Sequence, residues 1–335
     1  MRPSDRLVRH RSAFAGLIAG LVLVAVASLL LGSNPVPPDQ VLRALLTPAA
    51  DADAIVWGSR VPRTLLGIVV GFALGVAGAV MQGQTRNPLA DPGIFGVSAG
   101  ASLAVVVGVY VLQLNSPLLT SLLALVGAVL ASIVVFAIAA AGRGLASPVP
   151  LAIAGTAVTA LFSALTSFLV LTDQTTLTAY RIWVVGSLSG RNLEGTAVMV
   201  GFVAIGLLLA GLNAGALNNL ALGTELARGL GESLWRARLV GLAAITFLTA
   251  GAVALAGPIG FVGLTAPHLA RALVGGDHRV LLPASGLVGV LALVSADVLG
   301  RLIGGQAEVS VGVMLATLGG VVFVAIVRRS KLVAL

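Results

Sequence analysis

The sequence predicts an all-α integral membrane protein with ten transmembrane helices and both termini in the cytoplasm. Three observations support this prediction: the composition, the apolar runs and the distribution of basic residues. The chain has 335 residues, of which 58% are hydrophobic and only 10% are charged, and its mean hydropathy is +1.07. Because soluble domains carry about 25% charged residues, a chain this apolar needs a lipid bilayer as its solvent.

Apolar runs long enough to cross a bilayer follow one another along the chain. Backbone groups cannot remain unpaired in lipid, so such runs form helices, and about 20 apolar residues cross the hydrocarbon core. We expect one single transmembrane domain, residues 1–335, with spans at 13–31, 61–81, 93–112, 117–141, 149–171, 193–212, 239–257, 259–275, 281–300 and 309–327. The first run exceeds the apolar core of a signal peptide and is expected to be a retained helix.

The eighth run is the weakest, because it is short, contains Pro267 and carries His268 and Arg271. The basic residues support it nevertheless. With ten spans, most of them fall on the cytoplasmic side, as the positive-inside rule requires, and without the eighth span this excess disappears. The arginines expected outside are Arg43, Arg60, Arg63, Arg181, Arg191 and Arg301. Membrane topology thus explains the net charge of +8, and no nucleic acid is expected as a partner.

Small residues in the second run predict close helix packing. Gly67, Gly71 and Gly75 recur every four residues, which places three positions without a side chain on one helix face. In membranes this spacing lets two helix backbones approach each other closely. We therefore expect another helix to pack tightly against this face.

Residues suited to catalysis or metal binding are scarce. The chain has no cysteine, which excludes disulfides and thiolate sites. Residues 96–100 match the G-x-S-x-G pattern of a serine nucleophile, but Ser98 is predicted at the start of an apolar helix, with only His268 as a plausible partner. A membrane serine hydrolase is therefore a remote alternative. No histidine or carboxylate pair within a span has the spacing of metal ligands, so we expect no catalytic residue and no metal site.

The chain also lacks the groups that would drive transport by itself. Ion-coupled carriers need ionisable residues near the membrane midplane, and the predicted spans contain almost none, so a secondary carrier is a second remote alternative. A phosphate-binding loop needs a lysine, and the sole lysine, Lys331, follows no such loop. We expect no cofactor in this chain and no ATPase site; ATP and magnesium would bind a separate partner subunit.

Two charged features remain to be explained, and the first lies on the predicted outer side. Arg60 and Arg63 are three residues apart at the start of the second span, where they share one helix face and oppose the helix dipole. We interpret them as docking residues for an anionic partner, with interfacial snorkelling as the alternative. Arg301 is expected on the same side, where Asp297, four residues earlier, could pair with it.

The second feature is the cytoplasmic segment 218–238, NNLALGTELARGLGESLWRAR. Leu222, Leu226 and Leu230 have the spacing of one helix face. Gly229 and Gly231 would end this helix, and Ser233 could cap a second short helix. We interpret the segment as a lever held by a soluble motor subunit, with a helix lying among the lipid headgroups as the alternative.

Four stretches of the sequence resemble one family. They are RVPRTLLGIVVGFALGVAGAVMQGQTRNPLADPGIFGVSAGAS, GPIGFVGLTAPHLARALVGGDHRVLLPASG, SADVLGRL and AEVSVGVMLATLGG. In this order they are similar to the FecCD-type permeases, the membrane subunits of ATP-binding-cassette importers for iron–siderophores, haem and cobalamin. The resemblance covers residues from about 55 to 327.

The resemblance implies the partners and the location of the chain. The expected partners are a second permease subunit, identical or paralogous, two ATPase subunits and an extracytoplasmic substrate-binding protein. All would assemble at the plasma, or inner, membrane. The expected cargo is a ferric siderophore, with cobalamin or haem as the alternative.

The resemblance also implies roles for individual residues. Glutamates of the binding protein would dock on Arg60, Arg63 and Arg301. The turn RNPLA would contribute Asn87 and Leu89 to a cytoplasmic gate. The residues that would couple the chain to the ATPase are Glu225, Leu226, Ala227, Arg228, Gly229, Leu230 and Gly231.

Overall fold

The computed structural model describes residues 3–47, 54–114, 116–141, 148–191, 193 and 195–329, and Lys331 lies outside these ranges. Within them the chain is helical and forms no strand. The α-helices are α1 (Pro3–Leu30), α2 (Pro38–Leu46), α3 (Val61–Thr85), α4 (Val97–Leu112), α5 (Pro117–Ala141), α6 (Pro148–Thr172), α7 (Gln174–Val184), α8 (Ala197–Ala221), α9 (Thr224–Gly229), α10 (Leu234–Ala256), α11 (Val262–Val274), α12 (His278–Gly304) and α13 (Val311–Arg329).

A helix lies at each of the ten predicted apolar runs, but these helices differ in length. In the described part of the chain, 7 helices are long and apolar enough to cross a membrane, namely α1, α3 with its preceding π turn, α5, α6, α8, α10 and α12. Helix α4 and the segment Val311–Ala325 of α13 are apolar but shorter. Helix α11 has 13 residues, which corresponds to about 20 Å and is less than the hydrocarbon thickness of about 30 Å.

The boundaries predicted for the sixth run are wrong at both ends. The prediction was 193–212, whereas α8 extends from Ala197 to Ala221. Gly195 has a φ of +75°, which is incompatible with a helix starting before it. At the other end, Asn218 and Asn219 remain helical because both side chains find partners in other segments, Asp277 and Glu232. Such tertiary contacts override the low helix propensity of asparagine.

The third run also begins later than predicted. Residues Pro92–Phe95 form a 3₁₀ turn, and Gly96, with a φ of +70°, separates this turn from α4. The side chain of Asp91 accepts a hydrogen bond of 2.8 Å from the amide of Gly93. This local hydrogen bond caps the turn and competes with a helical start at residue 93.

Helices α2 and α7 were not predicted, because a search for long apolar runs cannot detect short amphipathic helices. Helix α2 buries Val41 and Ala44 on one face. Helix α7 is capped by Asp173, whose carboxylate accepts a hydrogen bond of 2.7 Å from the amide of Thr176. Trp183, near the end of α7, is buried.

Helix α3 lies in the centre of the bundle and packs against α8, α10, α11 and α12. Its glycine face is in contact with α12, as the spacing predicts. A Cβ atom on Gly71 would lie 2.7 Å from the carbonyl oxygen of Gly289, and one on Gly75 would lie 2.2 Å from that of Ser285. Glycine is therefore required at both positions for the two backbones to approach this closely.

Candidate functional site

The three predicted docking arginines converge at one end of the bundle, which we call the arginine end. Arg60 ends the π turn before α3, Arg63 lies in the first turn of α3, and Arg301 lies in the last turn of α12. Their exposed fractions are only 3%, 4% and 2%. The arginines are therefore packed among the ends of α1, α3 and α12 and do not project freely from the surface.

Asp297 binds two of these arginines at once. Its carboxylate accepts hydrogen bonds of 2.9 and 3.0 Å from Nε of Arg63, and Nη2 of Arg63 is 2.8 Å away. Nη2 of Arg301 lies 3.1 Å from the second carboxylate oxygen. The predicted pair between Asp297 and Arg301 is confirmed. The ion pair between Asp297 and Arg63 was not predicted, because these two residues lie on helices that are distant in sequence.

Glu308 completes this group of side chains. Nη1 of Arg63 donates to Oε2 of Glu308 at 2.7 Å, and the hydroxyl of Ser33 donates to the same carboxylate. Burial alone would raise the pKa of Glu308, but the hydrogen bonds from Ser33 and Arg63 and the positive charges of Arg63 and Arg301 outweigh burial, so the pKa is lowered. Glu308 is therefore ionised. Arg60, Arg63, Asp297, Arg301 and Glu308 are called the ion cluster below.

Arg60 differs from Arg63 and Arg301 because it contacts backbone carbonyl groups and no carboxylate of the described residues. It donates hydrogen bonds to the backbone oxygens of Leu29 at 2.6 Å, Leu30 at 3.0 Å and Asn34 at 2.6 Å. A cation at the C-terminal end of a helix, here α1, is stabilised by the helix dipole. No acidic group of the described residues pairs with Arg60, so three cations face two carboxylates in the ion cluster. A cavity of about 160 Å³ adjoins Arg60, Arg63, Arg301 and Glu308.

The predicted coupling residues lie at the opposite end of the bundle. Helix α9 extends from Thr224 to Gly229, and Gly231, with a φ of +83°, follows its end. Leu222, Leu226 and Leu230 are 59%, 63% and 63% exposed. The three leucine side chains are therefore more exposed than buried, as are several other leucines of the chain.

The prediction of a second short helix in this segment is wrong. The helix that follows α9 is α10, which starts at Leu234 and continues to Ala256. Ser233 occupies the capping position, but its side chain makes no capping hydrogen bond. Residues 234–238 are therefore the first turn of a long apolar helix, and α9 alone is the short helix of the segment.

The predicted gate residues lie at the same end as α9. Asn87 and Leu89 belong to the turn after α3, where Oδ1 of Asn87 accepts a hydrogen bond of 2.9 Å from the amide of Leu89. Leu89 is 41% exposed. Just before this turn, the buried side chain of Gln84 donates to the carbonyl of Ala237 at 2.8 Å. The turn is thus attached to the start of α10, close in sequence to α9.

Two adjacent asparagines at the end of α8 make contacts that were not predicted from the sequence. Asn218 donates to Asp277 at 2.7 Å and accepts a hydrogen bond of 2.8 Å from the amide of His278. Asn219 donates to Glu232 at 2.9 Å. Although burial opposes ionisation, hydrogen bonds from Asn218 and Arg279 and the charges nearby lower the pKa of Asp277. These contacts join α8 to both the segment after α9 and the start of α12.

The surroundings of Ser98 do not match a nucleophile elbow. Ser98 lies in the first turn of α4, and its carbonyl accepts a hydrogen bond of 2.8 Å from the hydroxyl of Ser102. The elbow requires a strand before the serine, and the preceding residues form a 3₁₀ turn. Across the described ranges, no group of three or more histidine, aspartate or glutamate side chains could hold a metal ion.

Long apolar helices, a charged cluster at one end and an exposed apolar helix at the other define a multi-pass membrane protein. A family model described as the FecCD transport family matches residues 20–329. The chain therefore belongs to the FecCD transport family.

Known proteins similar to this chain agree with that assignment. The ferric enterobactin transport system permease protein FepD of Escherichia coli is 43% identical over 323 residues, which are 96% of both chains. The siderophore transport system permease protein YfiZ of Bacillus subtilis is 38% identical over 93% of this chain and 94% of its own. A solved metal-chelate type ABC transporter in an inward-facing conformation has 27% identity and a TM-score of 0.79, covering 96% of this chain and 100% of the solved chain.

Proposed function

We propose that the chain is the membrane permease subunit of an ATP-driven importer whose cargo is a ferric siderophore. The observation that carries this proposal is the sequence identity of 43%, over 96% of both chains, to a ferric enterobactin permease. The chain itself supplies the conduit. Hydrolysis of ATP, with its magnesium ion, takes place on two partner ATPase subunits, and a second permease subunit completes the membrane part.

In the proposed topology the chain crosses the plasma membrane ten times, and both termini lie in the cytoplasm. The helix found at each predicted run and the excess of basic residues on one side support this topology. In this arrangement α3 starts at the outer surface and ends in the cytoplasm, and α12 returns to the outer surface. The arginine end then faces outward, and α9, Asn87 and Leu89 face the cytoplasm.

The ion cluster is the proposed docking site for an extracytoplasmic binding protein. Its three cations and two carboxylates leave one positive charge without a counter-ion in the described residues. A carboxylate of the partner that reached the cavity beside Arg60 would supply this missing negative charge. Such complementary charges favour rapid and specific association.

The coupling residues 225–231 are the proposed contact with the ATPase subunits. Leu226 and Leu230 present apolar side chains to the cytoplasm, which fits insertion of α9 into a groove of the partner. Movement of α9 would reach α12 through Asn219, Asn218 and Asp277. It would reach the gate turn with Asn87 and Leu89 through the contact of α10 with Gln84. Both paths start at α9, which is the proposed contact with the ATPase subunits.

A reconstitution experiment tests the proposed function. The full chain alone in lipid vesicles should accumulate no radioactive ferric siderophore against a gradient, because it has no energy source. Addition of the second permease subunit, the ATPase, the binding protein and ATP should produce accumulation that ATP removal abolishes. Accumulation by the lone chain, or accumulation only of haem or cobalamin by the full assembly, would contradict the proposal.

A substitution on α9 tests the coupling role. Leu226→Asp should lower ATP-driven uptake at least about tenfold, because a hot-spot side chain at an interface contributes more than about 1.4 kcal/mol. Since Leu226 is 63% exposed, the melting temperature of the chain should stay unchanged. The matched control is Leu46→Asp, on short helix α2, where the leucine is 73% exposed. Equal uptake in both variants would contradict a coupling role for α9.

A further inference from the structure

A large cavity at the arginine end is not explained by docking or coupling. It has a volume of about 870 Å³ and lies between the end of α4, the start of α5, the end of α7 and the loop after α7. Its polar lining includes Arg181, Arg191, Thr120, Ser187, Ser189 and Ser310. The volume lies within the range of about 300–1,000 Å³ that is usual for small-molecule sites.

The cavity adjoins the ion cluster. The hydroxyl of Ser189, which lines the cavity, donates to Oε2 of Glu308 at 3.4 Å. The lining loop is fixed at its base, because the amide of Ser187 donates to the carbonyl of Ala256 at 2.8 Å and Gly186 accepts from the amide of Gly312 at 3.1 Å. A ligand delivered at the ion cluster would therefore meet a preformed cavity directly beside it.

Of the arginines predicted on the outer side, Arg181 and Arg191 belong neither to the ion cluster nor to α2. Arg60, Arg63 and Arg301 belong to the ion cluster, and Arg43 lies 3.9 Å from Asp39 on α2. The two remaining arginines of the predicted outer side both line this cavity. No carboxylate in the described ranges forms a salt bridge with either of them.

The environment of Arg191 favours an anionic ligand. Its side chain is partly buried, and Nη1 donates to the hydroxyl of Ser121 at 3.1 Å, which orients the guanidinium group. Arg191 also lines an adjacent cavity of about 300 Å³. A partly buried cation without a counter-ion is costly, and a cavity lined by one sign of charge concentrates ligands of the opposite sign.

We propose that this cavity is a cargo-binding site selective for ferric chelates with a net negative charge. Arg181 and Arg191 would bind ionised catecholate or carboxylate oxygens of the chelator, for which the planar guanidinium group is suited. The serine and threonine hydroxyls supply further hydrogen bonds. This inference rests on the proposed function and adds the charge class of the cargo.

Fluorescence of the full chain in lipid nanodiscs tests the site directly. Replacement of Trp57 and Trp235 by phenylalanine leaves Trp183, which lines the cavity, as the sole fluorophore among the three tryptophans. Titration with an iron(III) tris-catecholate, a trianion, should quench Trp183 in a saturable manner, and added salt should weaken binding. A neutral iron(III) trihydroxamate should bind at least about tenfold more weakly.

Charge-removing variants identify the residues responsible. Arg191→Gln and Arg181→Gln should each weaken binding of the trianion at least about threefold, and the double variant about tenfold or more. They should leave the neutral chelate unaffected. The control is Arg43→Gln, which removes the same charge from exposed helix α2 and should change nothing. Binding that does not saturate, that ignores the charge of the chelate, or that is equal in the double variant and the control would overturn the proposal.

An anionic lipid headgroup has the same charge chemistry, and nanodisc composition separates the two ligands. If the site serves the chelate, quenching by the trianion persists in discs of phosphatidylcholine and in discs containing phosphatidylglycerol. Loss of quenching only with phosphatidylglycerol would assign the site to lipid and overturn the proposal. A different result would contradict the proposed function itself. In that case the full assembly would show no ATP-driven uptake of any ferric chelate.

Discussion

Replacement of Arg60 by glutamate is expected to lower uptake about a hundredfold while the chain still inserts into the membrane. Arg60 donates to three backbone carbonyl groups and pairs with no carboxylate of the described residues, so its positive charge lacks a counter-ion that a docking carboxylate would supply. Like charges facing each other across an interface cost several kcal/mol, and every 1.4 kcal/mol is about a factor of ten in affinity. The measurements are the affinity of the binding protein for the permease in nanodiscs and the initial rate of uptake.

Two companion variants distinguish docking from a structural role. Arg60→Lys keeps the charge and should retain most of the uptake, and Arg43→Glu, at an arginine outside the cluster, should leave uptake unchanged. Reversal of the facing glutamates of the binding protein to arginine should restore association with the Arg60→Glu permease. If the lysine variant fails as severely as the glutamate variant, and partner reversal restores nothing, Arg60 has only a structural role.

Arg63 is a poorer position for the same test. Its guanidinium group contacts both Asp297 and Glu308, so a glutamate at position 63 would place three carboxylates together. Loss of uptake in that variant would mix impaired docking with a damaged ion cluster. The structure thus shows which of the predicted docking residues gives a clear experimental result.

Removal of the shared carboxylate is expected to have the largest effect on stability. Asp297→Ala leaves Arg63 and Arg301 buried without the group that separates their charges. Breaking a buried ion pair by removal of one partner costs about 3–5 kcal/mol. We expect a clear fall in the melting temperature of the detergent-solubilised chain and faster proteolysis at the arginine end, and Asp297→Asn should have an intermediate effect.

Asp39→Ala provides the matched control for this variant. Asp39 also pairs with an arginine four residues away, but the side chains of Arg43 and Asp39 are 80% and 63% exposed and 3.9 Å apart. An exposed pair of this kind contributes about 0–1 kcal/mol. A melting temperature of Asp297→Ala equal to that of Asp39→Ala would show that the ion cluster does not stabilise the fold.

The sequence by itself determined the class of this protein and the positions of its long helices. Apolar runs must become helices in lipid, because no other local conformation pairs all their backbone groups. The glycine spacing likewise determined that one face of α3 would contact another helix. The pairing of Asp297 with Arg301 could also be predicted from the sequence, because residues four apart on a helix are neighbours.

Only the tertiary structure decided which distant residues act together. It placed Arg63 and Glu308 beside Asp297, joined Asn218 to Asp277, and brought Arg181 and Arg191 to one cavity. It also extended α8 past its asparagines and merged the expected second short helix into α10. These outcomes depend on contacts between segments far apart in the chain, whereas local periodicity describes only residues within one helix.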